Sequence, residues 1–131
     1  MLPVYGKWEM ELAQMAAAEA EALRRDLGMA ESTLDRFVAT TYRLLGLHAF
    51  FTVGPDECRA WTVAIGTVAP RAAGKIHSDM ERGFIRAEVV AYDDFVAAGG
   101  MAAAKKAGTV RLEGKEYVVR DGDIINFRFN V

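Results

Sequence analysis

Histidine, serine and aspartate stand side by side at His77-Ser78-Asp79, the three residue types of a hydrolytic triad. Nucleophilic catalysis needs those groups to converge in space in separate roles, which adjacency in sequence does not provide. The expected role is therefore local: His77 follows a helix and precedes an acid, as a helix-end cap and turn residue would. Cys58, the single cysteine, follows Asp56 and Glu57. Their charges disfavour a thiolate, so a structural cysteine is expected rather than a nucleophile. Asp93-Asp94 suits the start of a helix, where consecutive positions do not face one another as a catalytic carboxylate pair would. One cysteine and two histidines, His48 and His77, provide neither a cysteine zinc site nor an iron–sulfur set. No GxxxxGK[ST] phosphate cradle occurs, and Gly99-Gly100 lacks the leading strand and third glycine of a dinucleotide fingerprint. No catalytic, cofactor or metal site is expected in this chain.

The elements that would position these residues fall into two regions. Trp8, Leu12, Met15, Leu23 and Leu27 recur near the helical period, with alanines between them and Gly28 as the stop. A second helix is predicted from Ser32, whose hydroxyl can cap and which has Asp35 three residues on, to Gly46. Its apolar stripe is Leu34, Phe37, Val38, Thr41 and Leu45. Such a helical hairpin over residues 7–46 has little core of its own, so its stripes need an outside partner. From Leu47 the period changes to two. His48–Val53 and Cys58–Ile65 flank Gly54-Pro55-Asp56-Glu57 as a hairpin. A helix follows over Pro70–Ile76, then an alternating strand over Gly83–Val90. Two short helices come next, in Tyr92–Ala107, broken at Gly99-Gly100. Strands are expected at Lys115–Arg120 and Ile124–Asn130, joined at Asp121-Gly122. The order β-β-α-β-(α)-β-β, with one helix packed on a mixed sheet, is the β-grasp (ubiquitin-like) plan. The fold class is α+β.

The composition sets limits. The 131 residues are 52% hydrophobic and 26% charged, which is globular rather than disordered. The net charge of -2 gives no overall basic field, so any nucleic-acid contact needs a local patch. Residues 7–46 carry five basic and seven acidic residues; residues 47–131 balance at eleven of each. No apolar run approaches membrane-spanning length, and the first ten residues carry Lys7 and Glu9 where a signal peptide would be apolar. With one cysteine, a reducing, cytoplasmic location is expected, without membrane contact.

Three blocks carry a family resemblance: FFTVGPDECRAWTV (50–63), AAGKIHSDMERGFIRAEVVAYDDF (72–95) and AAAKKAGTVRLEGKEYVVRDGDIINFRFNV (102–131). Together, and in this order, they resemble the C-terminal region of the YchF, or Obg-like, ribosome-binding ATPases. The resemblance runs from about Leu47 to Val131 and implies that residues 47–131 form a TGS domain, a β-grasp module. Residues 1–46 resemble, more loosely, the end of the family's G domain and the helices leading out of it. Two departures stand out: Met80 where the family usually has Phe, and His48-Ala49 in place of a more apolar pair. The nucleotide-binding part of the family's G domain, with its P-loop for ATP or GTP and magnesium, has no counterpart in these residues, so none of its nucleotide-site residues carries over. The unpartnered helical stripes are what a piece of a longer protein would show, and they could also drive self-association.

The resemblance implies contact with RNA or the ribosome, and the strand pattern suggests where. With Ile85, Ala87 and Val89 facing the helix, Phe84, Arg86 and Glu88 lie on the other face. With Ile125, Phe127 and Phe129 inward, Asn126 and Arg128 lie outside. If the two strands are neighbours, Phe84, Arg86, Asn126 and Arg128 share an open surface that could stack bases and grip phosphates, and Lys75, His77 and Arg82 could extend it. The alternative is a docking face that packs on the family's own G domain without touching RNA, Glu88 being on the same face. A covalent ubiquitin-like modifier is not expected, because the Gly-Gly pair is internal and the sequence runs out in Phe129-Asn130-Val131.

Overall fold

A computed structural model describes residues 3–29 and 31–131. The alanine-rich first stretch forms two helices instead of one: α1 (Gly6–Leu12) and α2 (Ala17–Asp26), interrupted where Ala16 becomes extended. Tertiary bonds override propensity here. Glu9 on α1 accepts the Thr33 backbone N–H at 2.7 Å and Arg24 of α2 at 3.2 Å, while Leu12 and Ala20 turn inward. Helix α3 (Thr33–Leu44) starts as predicted, with Ser32 Oγ accepting the Asp35 N–H at 3.0 Å. Gly28 and Gly46 are left-handed (φ 69° and 64°), which stops the helices before them. No α3 residue is buried: Leu34, Phe37, Val38 and Leu44 are exposed, as is Leu45 after it. The chain divides into two compact units, one ending at Leu45 and one running from Gly46 to Val131.

The second unit is a five-stranded mixed sheet with helices on both faces. Strands β1 (Leu47–Val53) and β2 (Cys58–Ala64) form the expected antiparallel hairpin. Helices α4 (Ala69–Ile76) and α5 (Ser78–Arg82) lead into β3 (Phe84–Val90). Helices α6 (Tyr92–Ala98) and α7 (Met101–Ala107) follow, then β4 (Arg111–Glu113) and β5 (Ile124–Phe129). The strand order is β2-β1-β5-β3-β4, with β1 and β5 parallel and the other neighbours antiparallel. This is the β-grasp plan.

One predicted strand does not form. Residues 115–120 carry the β-branched signal, but Val118 makes only an isolated bridge to Val68, and Ala69 N–H donates to the Tyr117 carbonyl at 2.8 Å. The segment is tied to the start of α4, and the fourth strand is the shorter, charged β4 at the sheet edge.

Side chains alternate across the sheet, so its two faces bury two separate cores. Ala69, Ala72 and Ala73 bring α4 close to Phe50, Val63, Ala87, Val89, Ile125 and Phe127. Phe50 and Phe127 meet edge-to-face at 5.8 Å. On the other face α6 and α7 cover Val90 and Ile124 with Phe95, Met101 and Ala104. At the α5–β3 junction Gly83 is required for space: a Cβ there would overlap the backbone carbonyl of Asn130, whose N–H donates to the Gly83 carbonyl at 2.9 Å.

Candidate nucleic-acid interface

The register of β3 against β5 decides which candidate residues share a surface. Phe84 pairs with Phe129, but Arg86 pairs with Arg128, so Ile85 is an extra residue in a β-bulge. The bulge resets the alternation. Phe84 turns into the α4-side core at 5% exposure, and Ile85 stands out at 54%. Both placements reverse the sequence expectation. Phe84 is therefore removed from the open face and offers no base-stacking surface; its ring lies 6.2 Å from that of Phe127. Phe129, expected inward, is exposed.

Beyond the bulge the expected face holds. Arg86 lies opposite Arg128, and Glu88 opposite Asn126, on the face away from α4. Glu88 is the hub of this surface. Its Oε2 accepts Lys105 Nζ at 2.8 Å and Asn126 Nδ2 at 3.0 Å, and its Oε1 accepts Arg128 Nη2 at 3.2 Å and Nε at 3.3 Å. The Lys105 hydrogen bond, helped by those from Asn126 and Arg128, holds the Glu88 carboxyl below its usual range against the opposing effect of partial burial. Lys105 comes from α7 and escapes the strand-pattern argument, because α7 is placed on this face only by the packing of Ala104 against Val90 and Ile124. Arg86 is exposed and has no hydrogen-bond or ion-pair partner among the described residues.

Lys75, His77 and Arg82 do not extend this face. They sit in the α4–α5 layer, which packs on the opposite side of the sheet. His77 caps α5, its Nδ1 accepting the Asp79 N–H at 3.1 Å. Arg82 pairs with Asp79. That hydrogen bond holds the Asp79 carboxyl below its usual range against the opposing effect of desolvation, and the Arg82 charge adds to it. His77 thus acts locally as a helix cap, with Ser78 and Asp79 in the first turn of α5. Lys75 is exposed, and Arg71 bridges to Glu81 at 3.2 Å alongside it. Cys58 is exposed at the start of β2. Among the described residues no group of three or more His, Cys, Asp or Glu is placed to hold a metal, and no helix is long and apolar enough to cross a membrane.

Residues 47–130 match the family model of the YchF-GTPase C-terminal region, described as a protein of unknown function (DUF933). The chain belongs to this YchF C-terminal family. All 131 residues are 56% identical to part of the ribosome-binding ATPase YchF of Bacillus subtilis, covering 36% of that protein. Over 130 residues they are 48% identical to the Obg-like ATPase 1 of Gallus gallus, covering 33% of it. The fold superposes on the structure of the Schizosaccharomyces pombe YchF GTPase with a TM-score of 0.75 and 37% identity, over 90% of this chain and 31% of that one. The chain thus spans about a third of the length of these relatives. The YchF relatives align with the helices of residues 3–45 as well as with the sheet, which extends the resemblance through the whole sequence.

Proposed function

We propose that this chain is a ribosome-contacting C-terminal module of the YchF type, and that residues 47–131 act as its TGS domain. It would contact ribosomal RNA in the cytoplasm through the outer sheet face of Arg86, Lys105, Asn126 and Arg128. One observation carries this reading: Arg86 and Arg128 are adjacent on an open strand pair, and three cations there stand against the single carboxylate of Glu88. That local positive surplus is what a chain of net charge -2 needs in order to meet a polyanion. The Bacillus subtilis relative is a ribosome-binding ATPase, which supports the partner. No Walker A sequence occurs in this chain, so ATP or GTP with magnesium would belong to the G domain of the longer relatives.

The test is co-sedimentation with ribosomes of the wild type and of Arg86→Glu combined with Arg128→Glu. Loss of the variant from the ribosome pellet is expected, and equal recovery would overturn the named face. A second reading is favoured by the exposed α3 stripe of Leu34, Phe37, Val38 and Leu44. In it the module docks on a G domain, or on a second copy of itself, through apolar contact rather than through RNA.

A further inference from the structure

We propose that Glu88 is a built-in stand-in for an RNA phosphate: its carboxylate fills an oxyanion site made by Lys105, Asn126 and Arg128, and must leave that site before RNA binds there. The inference rests on the outer sheet face being the RNA-facing one. Both Glu88 oxygens are engaged as two phosphate oxygens would be. Lys105 and Asn126 converge on Oε2 at 2.8 and 3.0 Å. The Arg128 fork approaches Oε1 through Nη2 and Nε at 3.2 and 3.3 Å. Nη2 also reaches Oε2 at 3.4 Å, so the guanidinium spans both oxygens; guanidinium and ammonium groups donate to carboxylate and phosphate oxygens alike. A site that fits one therefore fits the other.

Two features favour a displaceable occupant over a purely structural clasp. Glu88 reaches the site on a flexible side chain from an outward-facing strand position, and although its own carboxylate is largely covered, the Lys105 and Arg128 side chains that hold it are 42% and 53% exposed and so reachable by an incoming anion. Beside it Arg86 faces the same way with no partner among the described residues, so the cations outnumber the carboxylate and a second charge site stands ready. A polyanion can engage Arg86 first and then compete for Lys105 and Arg128. The chain would thereby discriminate against isolated anions, which gain too little from one site to expel Glu88, in favour of a strand with consecutive phosphates.

The test measures binding of a fluorescent single-stranded oligouridylate to the full chain, between about 50 and 200 mM salt, where phosphate contacts dominate the salt response. Glu88→Gln keeps the shape and removes the charge. It is expected to bind at least about fivefold more tightly than the wild type, the effect of one like charge about 4 Å away in water. Its log–log salt slope is expected to steepen by about 0.7 for each cation freed. Adding Arg128→Gln to Glu88→Gln should abolish both gains. Inorganic phosphate as competitor should displace the RNA poorly from the wild type and better from Glu88→Gln. Equal affinity and slope for wild type and Glu88→Gln would overturn the proposal, as would weaker binding by a Glu88→Gln protein that melts like the wild type. Absence of RNA binding by both would overturn it too. Should Glu88→Gln fail to fold, Glu88→Ser supplies the same comparison. Ribosome co-sedimentation of the Arg86→Glu, Arg128→Glu protein separates the two readings: if that variant is lost from the pellet while Glu88→Gln changes nothing, the face stands and the stand-in role falls.

Discussion

Asp123, at 3% exposure, lies almost wholly inside the fold, and its carboxylate is satisfied by neighbours within twelve residues. Tyr117 Oη donates to it at 2.7 Å and the Arg120 N–H at 2.9 Å, with Arg111 Nη2 3.8 Å away. In return Tyr117 is strongly perturbed. Burial first, then its hydrogen bond to and the charge of Asp123, push its hydroxyl from 10.0 up to about 12. The sign follows directly. The folded state holds the phenol proton more tightly than the unfolded chain, so this contribution is complete below pH 10 and declines as the pH rises toward 12. Tyr117→Phe should lack this part of the alkaline loss. Urea midpoints measured for both proteins across that window should converge as the pH rises, and parallel curves would refute the coupling. The sequence revealed the turn but not this pairing. Asp121-Gly122 reads as a tight turn, and Gly122 is indeed left-handed at φ 79°. Nothing in Asp121-Gly122-Asp123 says which acid goes inside, because that depends on where Tyr117 is held by the start of α4.

At the scale of the element, β3 shows how one irregularity redistributes an entire segment. Simple alternation over Phe84–Val90 puts Ile85 in the core and Phe84 outside; the bulge at Ile85 exchanges them while leaving Ala87 and Val89 where alternation predicts. The two assignments give opposite mutational expectations. Phe84→Ala should destabilise by about 3–5 kcal/mol, as loss of a buried aromatic does. Ile85→Thr should stay within about 0.5 kcal/mol, as at other surface positions. Urea denaturation of both variants checks the pair, and the reverse order would restore unbroken alternation. A bulge is hard to read in sequence because it leaves composition unchanged and shifts only register. The hairpin, α4 and β5 were legible because periodicity and turn residues agreed along them. The strand expected at 115–120 was misleading for a related reason: Tyr117, Val118 and Val119 have strand-like side chains, but their backbone bonds go to Thr67 and Ala69. Of the candidate site, Arg86, Asn126 and Arg128 could be placed by alternation. Lys105 could not, since a helix packed onto this face of the sheet has no periodic relation to the strands it covers.

On the scale of the whole molecule, the two compact units predict separable stability. A fragment from Gly46 to Val131 should unfold cooperatively with a melting temperature near that of the full chain, because both of its sheet-face cores are contained within it. Calorimetry would expose a hidden dependence on the first unit as a broadened or missing transition. The same unit has a temporal constraint written into its topology. β5 is the last strand in chain order, yet it lies in the middle of the sheet, between β1 and β3. Until it arrives, the β1–β2 hairpin and the β3–β4 pair have no strand to join them, and Phe50 and Phe84 lack Phe127. A polypeptide emerging from the ribosome cannot close this sheet while residues 124–129 remain in the exit tunnel. Folding must wait for β5 to clear, with the two half-sheets exposed to chaperones or to wrong partners in the interval.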